Sequence, residues 1–210
     1  MRLRTQLKMV KAASRAAPAT EKQMEDAMPA RTIKKKSAPL TMNAVEGSSA
    51  PSVTVASPAF ENGGEIPHAN TDYGDGFSPA LTWDNVPAGT RSFAVVLEDP
   101  DVRQNPPFVH WLLYNLPGDT RELPESIAPD SPLTEFAGAR QGRTSNGTIG
   151  YFGPRPPTQD KPHHYHFEVF CLDSYLDIDS GADREQLIKA MAGHVLAKGE
   201  LVGLYEAAVS

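Results

Sequence analysis

The sequence has little of several features that mark common protein classes. Cys171 is the only cysteine among 210 residues, which excludes an intramolecular disulfide and a cysteine-rich zinc site. No run of about 18 apolar residues occurs, so the sequence predicts no transmembrane helix. A glycine-rich phosphate loop of the P-loop or dinucleotide-binding type is also missing, which argues against those two nucleotide-binding classes.

Aromatic residues are absent from the first part of the chain. All 8 Phe, 2 Trp and 6 Tyr lie at or after Phe60. Residues 1–50 carry 10 Lys and Arg against 4 Asp and Glu, whereas the other 160 carry 10 against 22. A segment without aromatic rings can bury little apolar area, so we predict a disordered basic N-terminal extension over residues 1–50. Residues 51–210 are predicted to form one domain with a single core.

The charge distribution bears on partners and location. The acidic domain argues against nucleic-acid binding, which relies on clustered Lys and Arg. Lys8, Lys11 and Arg15 interrupt every candidate apolar core of a secretory signal peptide, so we expect a cytoplasmic protein. A basic N-terminus is also typical of an organelle transit peptide or of a tail that contacts acidic partners. Both of these alternatives stay open.

The hydrophobic pattern favours strands over helices. One helix is predicted over residues 183–198, where Asp183 can cap the N-terminus and Leu187, Met191 and Val195 recur at four-residue spacing. Because strands dominate, we predict an all-β fold, an antiparallel Greek-key β-sandwich with this one helix in its C-terminal half. The predicted strands are residues 52–57, 92–98, 108–115, 163–172 and 200–207.

Three of these strands carry ionisable side chains in line with apolar positions. Side chains alternate across a strand, so every second residue shares a face. Asp99 continues the apolar face of the second strand, and His110 shares a face with Leu112 in the third. His163 and Tyr165 begin the apolar face of the fourth. If the strand ends lie together, these groups line the mouth of one pocket.

Such a group of side chains predicts an anion site. Asp99 can accept a hydrogen bond from one ring nitrogen of His110, which fixes the tautomer of the ring. The other ring nitrogen, His163 and the Tyr165 hydroxyl can then act as donors. Donors around a small concavity favour phosphate or carboxylate and require no metal.

Short motifs carry a resemblance that extends from Val53 to Tyr205. They are SPALTW at 78–83, VPAGT at 86–90, DPD at 99–101, HW at 110–111, GYFGP at 150–154, PP at 156–157 and HHY at 163–165. In order and spacing they resemble the phosphatidylethanolamine-binding protein family. The chain is most similar to the bacterial and archaeal branch of that family, the Raf-kinase-inhibitor-like proteins.

The resemblance implies a Greek-key β-sandwich with a small anion pocket at one end. Related pockets hold phosphate, acetate or a phosphorylethanolamine head group. Relatives act as kinase or protease inhibitors, and the resemblance suggests a homodimer. We therefore expect a non-enzymatic binding protein without a cofactor, an inhibitor-like regulator. The residues that match the ligand-binding positions of the family are Asp99, Asp101, His110, Pro156, Pro157, His163 and Tyr165.

Five positions depart from the family pattern, and one of them is Gly76, which stands where relatives have an asparagine. Val102 and Arg103 follow the DPD motif where relatives have Ala-Pro, which adds a cation near the pocket mouth. His164 replaces an arginine, and Thr158 replaces a lysine found in many relatives. None of these changes removes a predicted donor.

Two other functional classes stay open. A hydrolase could use the same pocket, since Asp99, His110 and His163 would satisfy a two-histidine, one-carboxylate metal site. A metal-free triad is less favoured, because the sequence contains no Gly-x-Ser-x-Gly motif. A structural or partner-binding sandwich with a relic pocket is the third class.

Overall fold

The structure, a computed structural model, describes residues 38–46 and 53–208. Among these residues, no helix is both long and apolar enough to cross a membrane. Single 3-10 turns occur at His68–Asn70 and Thr134–Phe136. The helices and strands are α1 (Thr41–Ala44), β1 (Thr54–Ala56), β2 (Leu81–Asp84), β3 (Ser92–Asp99), β4 (Phe108–Pro117), β5 (Glu122–Leu123), β6 (Arg140–Gln141), β7 (His163–Leu172), α2 (Arg184–Met191) and β8 (Val195–Tyr205).

The strands form two sheets, and every ladder between named strands is antiparallel. The smaller sheet has the order β1-β2-β5, and the larger has the order β6-β4-β3-β7-β8. The predicted mostly-β fold with few helices is therefore confirmed. The predicted strands that correspond to β3, β4 and β7 lie next to one another in the larger sheet, with β3 in the middle.

Two apolar clusters cover the two faces of the larger sheet. The first lies between the sheets, and its buried side chains include Leu81, Trp83, Phe93, Val95, Trp111, Phe167 and Val169. The second lies on the opposite face of the larger sheet, with α1 and α2, and includes Val45, Val96, Leu112, Phe170, Leu187 and Met191. Both faces are therefore buried, which explains why all eight residues of β3 are buried.

The predicted helix over residues 183–198 is wrong in its second half. Its start is confirmed, since Asp183 accepts a hydrogen bond from the Gln186 amide in a capping box. The helix ends at Met191, and β8 begins at Val195 and pairs with β7 over its whole length. Gly193 has a φ of 82° between the two elements, and a positive φ is incompatible with a continuing right-handed helix. The helical spacing of Val195 is accidental.

Residues 38–46 differ from the prediction of a disordered extension over residues 1–50. Residues 41–44 form the short helix α1, and Thr41 and Val45 are 0% and 3% exposed. The count of aromatic residues does not detect this segment, because the segment is held by hydrogen bonds to buried side chains and by the apolar contacts of Met42 and Val45. Residues 1–37 and 47–52, on which the rest of the prediction depends, lie outside the described residues.

Candidate functional site

A β-bulge in β4 lies next to the candidate site. Leu97 of β3 pairs with Trp111, and the next residue, Glu98, pairs with Val109. His110 is the additional residue, so two residues of β4 oppose one residue of β3. Side-chain alternation along β4 is therefore interrupted at His110.

The bulge turns His110 toward the face on which Asp99 lies. Its ring centroid is 5.2 Å from that of Tyr165, which belongs to the cluster between the sheets, whereas Leu112 belongs to the cluster on the opposite face. The prediction that His110 and Leu112 share a face is wrong, because it assumed an uninterrupted strand. The bulge is what allows His110 and Asp99 to meet at one cavity.

The ends of three adjacent strands, β3, β4 and β7, meet at one cavity. Asp99 ends β3 and pairs with Phe108 at the start of β4, while His163 begins β7 on the other side of β3. The cavity has a volume of about 290 Å³. The predicted convergence of the three strand ends is confirmed. The lining residues are Asp99, Val102, Phe108, His110, Asn146, Phe152, Arg155, Pro156, Pro157 and His163.

Asp99 and His163 form a buried contact in the lining of this cavity. The Nδ1 atom of His163 lies 2.7 Å from Oδ2 of Asp99, and the two side chains are 6% and 3% exposed. The Asp101 amide donates to Oδ1 of Asp99 at 2.8 Å. Burial raises the pKa of Asp99, and the hydrogen bond and charge of His163 act in the opposite direction. The predicted Asp99–His110 hydrogen bond is wrong, because β7 delivers His163 to that carboxylate instead.

His110 donates its proton to the main chain rather than to a carboxylate. Its Nδ1 atom lies 2.8 Å from the Phe152 carbonyl oxygen, which can only accept. Burial lowers the pKa of His110 to about 4, so the ring is neutral near pH 7. With the proton on Nδ1, the other nitrogen, Nε2, is an acceptor. This reverses the predicted role of that nitrogen as an outward donor.

The other two predicted polar residues lie outside the cavity lining. Tyr165 is completely buried beneath the histidine rings, and within the described ranges its hydroxyl meets no hydrogen-bond partner. Burial, and then the charge of Asp99, raise the pKa of Tyr165. Asp101 accepts hydrogen bonds from the amide and Nδ1 of His164 at 2.8 and 2.7 Å. It therefore ties the loop after β3 to the start of β7.

Sequence reasoning missed Arg155, the permanent cation among the described residues that line the cavity. Its Nη1 atom lies 2.6 Å from Oδ2 of Asp72, and its guanidinium stands 5.8 Å from the ring centroid of Tyr73. The side chain is 60% exposed, so it can turn toward a ligand at little cost. The available signal was that Arg155 lies between Pro154 and Pro156, directly before the two prolines that match ligand-binding positions of the family.

The loop that carries Arg155 is held firmly in place. The Tyr73 hydroxyl donates to the Pro156 carbonyl at 2.8 Å. Gly153 packs directly on the main chain of Thr71 and Asp72, where a Cβ atom would stand 2.5 Å from the Asp72 nitrogen. Only glycine fits this contact. Pro156 and Pro157 therefore lie on a fixed wall of the cavity.

No metal-binding cluster of three or more His, Cys, Asp or Glu side chains occurs in residues 38–46 and 53–208. At the predicted three-residue set, Asp99 and His163 bind each other, and His110 uses Nδ1 for the Phe152 carbonyl. These contacts use only the Nδ1 atoms of the two histidines, but within the described ranges the three groups do not form a cluster that could hold a metal ion. The donor set does not fit the metal alternative.

Comparison with known proteins identifies the family. The profile described as phosphatidylethanolamine-binding protein matches residues 56–206. A UPF0098 protein of Methanothermobacter thermautotrophicus is 40% identical over 147 residues, which cover 70% of this chain and 94% of the relative. A UPF0098 protein of Aquifex aeolicus is 40% identical over 153 residues, 72% of this chain and 87% of the relative. The chain belongs to the phosphatidylethanolamine-binding protein family.

Two crystal structures show the same fold. A phosphatidylethanolamine-binding protein homologue from Chlamydia trachomatis superimposes with a TM-score of 0.66 at 36% identity, covering 75% of this chain and 99% of that one. YbcL of E. coli, a member of the mammalian PEBP family, gives a TM-score of 0.69 at 31% identity, covering 74% and 99%. The relationship places the chain in the bacterial and archaeal part of the family.

Proposed function

We propose that this protein is a non-enzymatic binding protein whose cavity captures a small anionic or phosphorylated group. The observation that carries the proposal is the cavity of about 290 Å³ with Arg155 at its rim and the neutral His110 in its wall. A guanidinium recognises a phosphoryl or carboxylate group through charge-assisted hydrogen bonds. Phe108, Phe152 and Val102 offer an apolar surface to the organic part of the ligand.

The ligand must supply a donor to His110. Its Nε2 atom is an acceptor, so a fully deprotonated anion would meet a lone pair there. A phosphate monoester that keeps one proton places a P–OH group opposite Nε2 and negative oxygens toward Arg155. The cavity therefore favours binding of the singly protonated phosphate monoester. Binding of the dianion is equivalent if His110 takes up one proton at the same time.

The regulatory role is part of the same proposal. The resemblance implies an inhibitor-like regulator of a kinase or protease, with a phosphorylated or acidic group of the target as the captured ligand. A binding role is supported by the hydrogen bonds that the ionisable side chains of the cavity already form. Asp99 and His163 are committed to each other, and His110 is committed to the Phe152 carbonyl. A dimer would be a separate property that the monomer's pocket does not require.

Replacing the rim cation tests the proposal directly. We expect Arg155→Ala to weaken binding of O-phosphoethanolamine by about tenfold, equivalent to about 1.4 kcal/mol. Chemical-shift titration of the full chain by NMR measures the Kd. Arg103→Ala is the matched control, because Arg103 is 90% exposed and pairs with Asp160 outside the cavity lining. Equal affinities of Arg155→Ala and the unchanged protein, or no response to either phosphate or O-phosphoethanolamine, would refute the anion site.

Binding should also depend on pH through the proton opposite His110. A phosphate monoester loses its second proton near pH 6, so we expect the Kd to rise about tenfold per pH unit between pH 7 and 8.5. His110→Asn keeps a donor for the Phe152 carbonyl but has no Nε2 acceptor, so its Kd should lose this slope. A pH-independent Kd in the unchanged protein would contradict the assigned proton position. Hydrolysis of the ester during the titration would instead favour the hydrolase alternative.

A further inference from the structure

Residues 38–46 lie across the face of the larger sheet that is opposite the cavity side. We call this segment the strap. Side chains from α2, β3, β7 and β8 form hydrogen bonds with its main chain. Arg184 of α2 donates from Nη2 to the Pro39 carbonyl at 2.6 Å. Lys198 of β8 donates from Nζ to the carbonyls of Met42 and Val45 at 2.6 and 3.2 Å.

Two buried glutamates hold the amide side of the strap. Glu98 of β3 accepts hydrogen bonds from the amide and hydroxyl of Thr41 at 2.7 and 2.9 Å. Glu168 of β7 accepts from the Met42 amide at 2.9 Å. Both glutamates are 0% exposed. The amides of the strap are therefore hydrogen-bonded to carboxyl groups that are completely buried.

The two carboxyl groups are not equally satisfied. Glu98 also accepts from Nε of Arg184, which gives its charge a partner. Glu168 has no such cation, and its Oε1 atom has no hydrogen-bond partner within the described part of the chain. An unpaired buried acceptor is costly when charged and far less so when it carries a proton. Burial, and then the charge of Glu98, raise the pKa of Glu168 well above its usual range.

The other ionisable groups around Glu168 do not supply the cationic partner that Glu98 has and Glu168 lacks. Glu200 stands opposite Glu168 in the ladder and adds a third carboxylate. His166 forms a hydrogen bond with Glu200, and its Nδ1 atom lies 2.9 Å from Oε2 of Glu200. Glu185 pairs with Arg184 at 2.9 Å. The charged and titratable groups that face this site are Glu98 on β3, His166 on β7, Arg184 and Glu185 on α2, and Lys198 and Glu200 on β8.

We propose that the strap is a proton-controlled cover, which stays closed while Glu168 is protonated and opens as Glu168 loses its proton. Opening lets water reach the carboxyl group, so the open form favours the charged state and the closed form favours the neutral one. By linkage, each proton lost on opening makes the open form more populated as the pH rises. Opening would uncover the buried acids and the apolar contacts of Val45 on the second cluster.

Hydrogen exchange of the Thr41 and Met42 amides tests this on the full chain. After correction for intrinsic exchange rates, we expect the opening equilibrium to increase by up to tenfold per pH unit above the usual glutamate pKa of about 4.3. Glu168→Gln keeps the shape and the acceptor for Met42 but cannot ionise, so its opening equilibrium should be independent of pH. Glu200→Gln is the matched control and should keep the slope, because the Glu200 side chain is 38% exposed and bonds to His166 rather than to the strap.

A second measurement does not depend on the stability of those variants. The carboxyl ¹³C signal of Glu168 should titrate with a midpoint well above the usual value in the unchanged protein. Val45→Ser, which weakens the apolar contact of the strap, should move this midpoint back toward the usual value. A flat exchange profile in the unchanged protein, an equal slope in Glu168→Gln, or a midpoint that Val45→Ser leaves unmoved would overturn the proposal.

Discussion

Replacing Asp99 by alanine is expected to lower the free energy of unfolding by about 3 kcal/mol, because it leaves His163 buried without its partner. The two side chains are almost fully removed from solvent and lie 2.7 Å apart. Urea denaturation monitored by tryptophan fluorescence measures this loss. The same variant should lose binding of O-phosphoethanolamine, because the side chain that orients His163 in the cavity wall is gone.

The controls for Asp99→Ala come from the same region. Asp101→Ala breaks a contact with His164 in which the two side chains are 40% and 54% exposed, so it should cost no more than about 1 kcal/mol. In the double variant Asp99→Ala/His163→Ala, part of the loss should return, because no buried ring N–H is left without its acceptor. Equal costs for Asp99→Ala and Asp101→Ala would show that the buried pair contributes no more than a surface contact.

Acidification should destabilise the protein through His110 by about 3 kcal/mol. The unfolded chain takes up a proton at this residue near pH 6.5, whereas burial holds the folded-state pKa at about 4. Between these values the unfolded state binds more protons, so stability attributable to His110 rises with pH and is fully present above pH 6.5. Asp99 and Glu168 act in the opposite direction, because burial raises the pKa of each in the folded state.

A comparison with His110→Asn isolates this contribution. Asparagine stays neutral across the range and can still donate to the Phe152 carbonyl, so the contributions of the other groups cancel in the difference. We expect the difference in unfolding free energy between the unchanged protein and His110→Asn to change by about 3 kcal/mol between pH 7 and pH 4. A difference that is constant with pH would show that His110 is not held neutral by burial.

Local sequence patterns predicted the parts of the fold that depend on local properties. The predicted third and fourth strands, residues 108–115 and 163–172, occur as β4 and β7 because short runs rich in apolar and aromatic residues act within a few residues. The N-cap at Asp183 is local in the same sense. Val195 shows the limit of this reasoning, since it fits a helical period but pairs with Leu172 across a ladder.

Site residues were predicted better than their contacts. The predicted strand ends bring Asp99, His110 and His163 to one cavity, although His110 reaches it through a bulge and not through the regular alternation of side chains. Which of them bind each other depends on register between segments that are 64 residues apart for Asp99 and His163 and 42 apart for His110 and Phe152. The bulge in β4 also decides which way His110 faces, and no pattern within one strand predicts it.

The family, the strand-rich domain and the residue types of the cavity were predictable, because they follow from composition, short motifs and local periodicity. The three-dimensional packing was needed to show which histidine meets Asp99, which nitrogen of His110 holds the proton, and that Arg155 stands at the cavity rim. It also decided that residues 38–46 cover a buried pair of acids. Each of these depends on burial and on distances between segments far apart in the chain, which determine the free energies of charges and hydrogen bonds.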